Sequence, residues 1–158
     1  MKFCINWFEN FELNRHFDNI FLIHTLEHID DPVALLEQVS NWLKSTGRLF
    51  LAVPNAEAAS RQISLAMGLI EHTCSVSEGE ALHGHQRTYR MDTLKLDVKR
   101  SGLKIESAGG ILFRALANFQ FDKAMKASII NRSYMDGCYE VGKLYPTLCA
   151  SIYVICSP

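Results

Sequence analysis

The first apolar run in the chain predicts a buried β-strand. Residues Phe17 to His24 (FDNIFLIH) are apolar almost throughout, which is typical of a parallel strand covered on both faces. A helical pattern follows, with Asp31 as N-cap, Pro32 in the first turn and apolar residues at helical spacing to about Lys44. The next apolar run, Arg48 to Val53 (RLFLAV), predicts a second buried strand.

This strand, helix and strand predict an α/β fold with a mostly parallel sheet. A β-α-β unit makes a right-handed crossover, and ligands of such sheets bind outside the carboxyl ends of the strands. The segments at those ends are His24 to Asp30 and Pro54 to Ala56. We therefore expect functional side chains there.

The second half of the chain alternates predicted helices and strands around one long aperiodic stretch. Glu71 to Arg90 has no periodicity and is predicted to be a loop or lid, because loops of that length in compact domains are often functional. A strand from Leu103 to Ser107 is expected to end at Gly109 and Gly110. The remaining predicted elements are helices at Ala58 to Ile70, Asp92 to Ser101, Ala115 to Ala127 and Tyr134 to Leu144, and a last strand at Leu148 to Cys156.

Composition narrows the class of protein. The chain has 158 residues, of which 48% are hydrophobic and 21% charged, as expected of one globular domain. Sixteen Lys and Arg balance seventeen Asp and Glu without a basic cluster, so nucleic acid is not an expected partner. No apolar stretch is long enough for a membrane span and no secretory signal is evident, so we expect a cytoplasmic protein with no membrane partner.

The cysteines do not indicate a disulfide framework or a cysteine zinc site. Their number is odd and no C-x-x-C pair occurs. We expect them to be small buried hydrophobic residues, at positions 4, 74, 138, 149 and 156.

The segment FDNIFLIHTLEHIDDPVALLEQVSNWLKSTGRLFLAVPN, Phe17 to Asn55, resembles the second half of class I S-adenosylmethionine-dependent methyltransferases. The resemblance rests on an FD-x-I strand, an LEH turn, a DP-capped helix with paired leucines, and a GRL strand that ends in VPN. Downstream, His83 to Ile105 is similar to the stretch around the last parallel strand of small-molecule methyltransferases. The closing LCASIYVIC is similar to a subgroup associated with bacterial polysaccharide or secondary metabolism.

The resemblance implies the fold and the activity. It implies one incomplete domain over residues 1–158, a partial Rossmann-like methyltransferase sheet flanked by helices. Its strands would be 4, 5, 7 and 6 of the complete fold, in that spatial order, with the last strand of the chain antiparallel and a possible remnant of strand 3 at residues 2–5. The implied activity is transfer of a methyl group from S-adenosylmethionine to O, N or C of a small molecule, such as a sugar or another metabolite. A dehydrogenase fragment would share the topology, but LEH and VPN favour methyl transfer.

The front half of the family's pattern is not found in this sequence. No G-x-G-x-G occurs, although that turn holds the methionine part of the cofactor, and the acid that holds the ribose is also missing. We therefore expect weak or absent cofactor binding by the chain alone. The alternatives are a non-catalytic remnant or assembly module, and a start codon placed too late. Strand Phe17 to His24 would then be a sheet edge that pairs with a second copy or with a partner chain.

The resemblance also implies cofactor-binding residues. Trp7, Phe8 and Glu9 follow the position of the family's third strand, and His24 with Thr25 follow its fourth. The alternative, which is the more common role of such residues, is that Trp7 and Phe8 belong to the core.

A first candidate catalytic group is Glu27 with His28, beside His24. If the turn is helical, the two histidines project from the same side, with Glu27 between them. Such a group could act as a general base, form half of a divalent-metal site, or only fix the turn and cap the next helix. Some quinone-ring O-methyltransferases of the family use E-x-x-E-H for a metal, whereas this chain has H-x-x-E-H, and we predict no metal site.

The aperiodic stretch supplies a second candidate group, His85, Arg87 and Tyr89. As part of a lid, these residues would face the substrate, and Arg87 could form a paired hydrogen bond with its carboxylate or phosphate. Arg87 could equally pair with Glu78 or Glu80. A metal site at His83 and His85, or a solvated or helix-capping role for these histidines, are the alternatives.

Overall fold

The computed structural model describes residues 15–158, which form one four-stranded sheet with helices around it. The spatial order is β1-β2-β4-β3. β1 pairs with β2 in parallel, and β4 is antiparallel to both of its neighbours. This confirms the predicted α/β class and the predicted strand order, including the antiparallel last strand. The strands are β1 (Phe17–Ile23), β2 (Leu43–Pro54), β3 (Lys104–Phe113) and β4 (Cys149–Ser157).

The helices connect these strands in the predicted order, with two short 3-10 turns between them. One turn, Leu26–His28, follows β1, and the other, Pro146–Leu148, precedes β4. Within residues 15–158, every helix is too short or too polar to cross a membrane. The α-helices are α1 (Pro32–Trp42), α2 (Ala59–Ala66), α3 (Glu78–Leu82), α4 (Met91–Arg100), α5 (Asn118–Lys126) and α6 (Arg132–Leu144).

Two predicted strand boundaries were wrong. β2 begins at Leu43, directly after α1, and runs through Gly47, where a Cβ atom would lie 2.8 Å from the carbonyl oxygen of Phe17. The glycine there permits close contact between β1 and β2. β3 likewise continues through Gly109 and Gly110 to Phe113, because these glycines make room for neighbouring side chains of β4.

One face of the sheet carries the core. α1 and α4 pack side by side there, α1 on β2 and α4 on β3, and their buried leucines and valines form one cluster with alternate residues of β2 and β4. This packing explains the two amphipathic patterns seen in the sequence. The residues with at most 1% exposure include Leu36, Val39, Leu94, Val98, Leu51 and Val154.

The opposite face is open at β1. The side chains of Phe21 and Ile23 are 63% and 55% exposed, and Phe21 stacks on Phe50 of β2 with ring centroids 4.8 Å apart. The prediction that this strand is covered on both faces was therefore wrong for the described residues. α6 covers only the β3 side of this face. A groove of about 620 Å³ remains between α6 and the exposed apolar side chains.

The stretch predicted to be a loop or lid contains a short helix. α2 ends at Ala66, earlier than expected, and α3 lies inside the stretch. Ser77 caps α3: its hydroxyl accepts from the backbone N–H of Glu80, and the Glu80 carboxylate accepts from the N–H of Ser77. This is a capping box, and its S-x-x-E signature is visible in the sequence.

The four cysteines in the described part of the chain are free. Three of them, Cys138, Cys149 and Cys156, are buried, and burial raises the pKa of the Cys156 thiol to about 12. These three are the small buried hydrophobic side chains that were predicted, whereas Cys74 is only half-buried and Cys4 lies outside the described residues.

Candidate functional site

The turn after β1 brings three predicted site residues together. His24 adopts a left-handed backbone conformation (φ 50°), and the 3-10 turn Leu26–His28 follows. The chain therefore folds back on itself, so that His24 Nδ1 and His28 Nε2 both lie 3.9 Å from Oε1 of Glu27. The helical turn that would place both histidines beside Glu27 is present.

The Glu27 side chain is fully buried, and neither of its carboxylate oxygens has a hydrogen-bond partner in the structure. It does not cap α1, because Asp31 does so by accepting a hydrogen bond from the backbone N–H of Ala34 at 3.0 Å. A buried carboxylate without partners is costly unless a positive charge compensates it. The surrounding imidazoles can supply that charge when protonated.

The segment after α3 adds His85 to this cluster. The backbone N–H of Gln86 donates to the Glu27 carbonyl at 2.9 Å, and this bond fixes the segment on the turn. The His85 ring then meets the edge of His28, with centroids 4.7 Å apart, and its buried Nδ1 has no partner. Burial lowers the pKa of His85, and the carboxylate of Glu27 offsets part of that effect. We call Glu27, His28 and His85, with His24 beside them, the histidine cluster.

The histidine cluster has the donor atoms of a possible divalent-metal site. One ligand atom from each of Glu27, His28 and His85 lies within 4.8 Å of the others. Two imidazoles and a carboxylate suit zinc and similar ions better than magnesium or calcium. The prediction that the chain has no metal site stays a prediction.

A cleft of about 590 Å³ opens beside the histidine cluster, at the carboxyl ends of β1 and β2. His24 and His85 line it, and His24 Nε2 is hydrogen-bonded to Ser151 Oγ at 3.1 Å. Such an edge of an α/β sheet is the usual place for a ligand. Other parts of its wall come from α2, the segment around α3, and the stretch from the end of β3 into the first turn of α5, including Arg61, Glu80, His83, Arg114 and Phe119.

Arg61 of α2 holds the segment around α3 in place, and sequence reasoning missed it. Its Nε donates to the carbonyl of Thr73 at 2.7 Å, and its Nη1 lies 2.5 Å from Oε1 of Glu80. Its Nη2 donates to the carbonyl of Ser75. No local pattern marks Arg61 in the sequence, because all three partners come from 12 to 19 residues further along the chain.

Arg87 forms neither of the ion pairs considered from the sequence. Its Nη2 donates to the backbone carbonyl of Asp30 at 3.0 Å, and Glu80 pairs with Arg61 instead. Arg87 thus connects the segment to the turn before α1.

Tyr89 lies in the core, and its side chain does not line the cleft. Its hydroxyl donates to Oδ2 of Asp97 on α4 at 3.1 Å, and burial raises the pKa of the phenol. Its backbone bridges to Asn55. Tyr89 is thus placed apart from the histidine cluster.

The predicted cofactor residues divide between two regions. Trp7, Phe8 and Glu9 lie outside the described residues. His24 lies at the end of β1 and lines the cleft, and the Thr25 hydroxyl donates to the Ile23 carbonyl at 3.3 Å.

Asn55 is a second residue whose contacts the sequence did not reveal. It is buried at the end of β2, and its Nδ2 donates to the carbonyls of Thr147 and Cys149, both at 2.8 Å. Its Oδ1 accepts from the N–H of Glu57 at 2.9 Å. The asparagine of VPN therefore joins the carboxyl end of β2 to the start of β4 and fixes one wall of the cleft.

Known proteins that are similar to this chain in sequence are methyltransferases. A family model described as a methyltransferase domain matches residues 4–108. Ubiquinone biosynthesis O-methyltransferases from Xanthomonas euvesicatoria pv. vesicatoria and Xanthomonas axonopodis pv. citri are each 26% identical over 102 residues. That match covers 65% of this chain and 41% of each relative, so the chain spans less than half the length of these relatives.

Solved structures show the same fold. An S-adenosylmethionine-dependent methyltransferase from Mesorhizobium loti superposes with a TM-score of 0.56 at 13% identity, over 97% of this chain and 68% of that one. One from Clostridium acetobutylicum gives a TM-score of 0.53 at 13% identity, over 98% and 63% of the two chains.

Proposed function

We propose that this chain, which belongs to the family of methyltransferase domains, forms the acceptor side of an S-adenosylmethionine-dependent methyltransferase that acts on a small molecule. The observation that carries the proposal is the buried carboxylate of Glu27 against the imidazoles beside the cleft. Methyl transfer needs an acceptor atom held in line with an activated methyl group, and often a base that takes its proton. The histidine cluster can supply that base.

His85 is the proposed base. Burial lowers its pKa, so that the ring is largely neutral near pH 7 and can accept a proton from an acceptor hydroxyl or amine. The imidazolium that forms lies close to Glu27 and is stabilised by its carboxylate, while His28 keeps the rings in position by its edge contact. Arg87 positions the segment that carries His85. For Tyr89, its contact with Asp97 supports a positioning role rather than a catalytic one.

The described residues suit the part of the site that holds the methyl acceptor. They do not provide the groups that would hold the methionine and ribose parts of the cofactor. The adjacent glycines Gly109 and Gly110 offer no cradle, because the Tyr153 ring and the Cys149 side chain fill the space beside them. His24 and Thr25 remain as candidate contacts at the end of β1. The bound cofactor would supply the activated methyl group. We propose that residues outside 15–158, or a further polypeptide, complete its site.

The exposed β1 edge supports a second candidate function, that of an assembly module. β1 ends the sheet of the described residues, and its apolar side chains Phe21 and Ile23 are exposed. Such an edge pairs readily with another strand. We propose that a second copy of this chain, or a partner chain, pairs there. The same contact would bring to the cleft the protein groups that bind the methionine and ribose parts of the cofactor.

Calorimetric titration with S-adenosylhomocysteine, together with the molar mass from light scattering, tests these proposals on the 158-residue chain. Both proposals are supported if the parent chain is a dimer that binds S-adenosylhomocysteine at micromolar concentration, and if Phe21→Asp is a monomer that does not bind it. Leu144→Asp is the matched control, since Leu144 is exposed at the end of α6, which packs on β3 at the other edge of the sheet. A monomer that does not bind and captures no partner chain would contradict the assembly proposal. It would also show that this chain alone is not the enzyme.

A further inference from the structure

The cleft beside the histidine cluster has an excess of cationic and imidazole side chains. Arg61, Arg114 and the three histidines His24, His83 and His85 line it. Glu80 is the one acidic residue among its lining residues from the described part of the chain. The two arginines carry the permanent positive charge of this surface, so their pairing decides whether the cleft attracts an anion.

Arg61 and Glu80 neutralise each other within the wall. The arginine uses all three guanidinium nitrogens on Glu80 and on the two backbone carbonyls of Thr73 and Ser75. The second oxygen of Glu80 accepts from the N–H and the hydroxyl of Ser77. Neither charge is therefore available to a ligand.

Arg114 is different. It follows β3 directly and is half-buried. Among the described residues, no carboxylate lies within ion-pair distance of its guanidinium, and the charge of Asp122 in α5 acts on it from further away. Its guanidinium donates to the side-chain amide oxygen of Asn118 and lies over the ring of Phe121, with Cζ 5.4 Å from the centroid. These contacts hold and orient the group without neutralising its charge, since the amide and the ring are uncharged and Asp122 forms no ion pair with it. Burial lowers the pKa of Arg114, but an arginine remains protonated at physiological pH.

A half-buried guanidinium with an unused charge is the group that proteins use for carboxylates and phosphates. The exposed ring of Phe119, in the first turn of α5, lines the same cleft and offers it an apolar surface. We propose that the molecule bound in this cleft is a small organic acid with an apolar body, whose carboxylate or phosphate binds Arg114. This inference rests on the proposed function, because it identifies the class of acceptor that the methyl group would reach.

The test is a nuclear magnetic resonance titration of the 158-residue chain, at constant ionic strength, with benzoate, phenyl phosphate and benzamide. Benzamide has the shape of benzoate without its charge. We expect one of the anions to bind at least about tenfold more tightly than benzamide, with shifts at Asn118 and Phe119, because the charged group gains a paired hydrogen bond. The preferred anion distinguishes a carboxylate from a phosphate.

Two variants and a control assign the effect to Arg114. Arg114→Gln should remove the preference for the anion and leave benzamide unchanged, and Arg114→Lys should restore part of it. Arg132→Gln, at an exposed arginine of α6, should change nothing. Equal binding of benzoate, phenyl phosphate and benzamide, no binding of either anion, or an anion preference that persists in folded Arg114→Gln would each overturn the inference. The titration contains no methyl donor, so its failure is distinct from a failure of methyl transfer.

Discussion

The Oε1 atom of Glu27 lies 3.9 Å from Nε2 of His28, and the carboxylate is fully buried without a hydrogen-bond partner. Removing one member of a buried ion pair normally destabilises a protein, because the other charge is left buried and unpaired. The Glu27 carboxylate makes no hydrogen bond, so its removal breaks none. Glu27→Gln keeps the shape and removes the charge. We expect it to raise the free energy of unfolding at pH 8 by about 1 to 3 kcal/mol, since a neutral amide loses less hydration on burial.

Urea unfolding at pH 8 measures this change. Glu37→Gln, at an exposed position of α1, is the matched control and should leave the midpoint unchanged. The same Glu27 variant should lower the rate of any methyl transfer by about 10²-fold or more, because the base loses the carboxylate that stabilises its protonated form. A loss of stability in Glu27→Gln would mean that the carboxylate is already compensated.

The lowered pKa of His85 predicts a pH dependence of stability. Burial is the main cause of the shift from the ordinary value of 6.5. Below that pH the unfolded chain binds a proton that the folded chain resists, so stability is lost as the pH falls from 6.5 towards the folded pKa. The slope from this one group reaches at most about 1.4 kcal/mol per pH unit.

His85→Gln should flatten the slope in that window, and His16→Gln, at an exposed position before β1, should not. Thermal unfolding between pH 5 and pH 8, a range of about three units around the ordinary histidine pKa, gives the comparison. An unchanged slope in His85→Gln would show that His85 titrates normally in the folded chain.

The fold was largely predictable because its strongest signals are local. Apolar periodicity placed α1 and α4, and the strand runs placed β1, β4 and the end of β2, each within a few residues. The errors occurred where long-range packing decides. Nothing near Gly110 reveals that Cys149 of a strand 39 positions away will occupy the space beside it, so the strand appeared to end early.

The candidate site was predictable in part for the same reason. His24, Glu27 and His28 are neighbours in sequence, and their convergence follows from the turn. His85 joins them through one backbone hydrogen bond of Gln86, which no spacing rule gives. Arg61 and Arg114 were missed because the sequence pattern around an exposed arginine is the same as that around an arginine that anchors a segment or lines a cleft.

The Arg61 contacts predict a local opening. Arg61→Gln removes charge-assisted hydrogen bonds worth about 1.5 to 3 kcal/mol each, which hold the segment around α3 against α2. We expect faster amide hydrogen exchange and faster proteolysis between residues 71 and 90, with little change in the core strands. The control is Arg132→Gln, which breaks an exposed ion pair on α6. Protection of 71–90 equal to that of the parent chain would exclude Arg61 as the anchor.

Acid should open the same segment. Burial raises the pKa of Glu80, but the hydrogen bonds from Ser77 and the charge of Arg61 outweigh this effect and lower it below its ordinary value. The stabilisation is therefore present above the unfolded pKa and is lost as the pH falls through the lowered folded pKa. Hydrogen exchange at residues 77–82 should accelerate over that acidic range, and Glu80→Gln should remove the acceleration.

Two glycines of the chain predict opposite effects of the same substitution. At Gly110 in β3, a Cβ atom would lie 2.2 Å from the carbonyl oxygen of Pro146 and 2.7 Å from Cys149, and both neighbours are fixed. Gly110→Ala should therefore destabilise the chain by about 3 kcal/mol or more, since overpacking shifts the backbone. Gly137 in α6 has no atom within 4 Å of its would-be Cβ. Gly137→Ala should stabilise the chain by about 0.5 to 1 kcal/mol, because alanine is the better helix former.

Urea denaturation of the two glycine variants measures both effects in one experiment. If Gly110→Ala were as stable as the parent chain, the turn before β4 would have to move to make room for the methyl group. The hydrogen bond from Asn55 to Thr147 would then not hold this wall of the cleft rigidly.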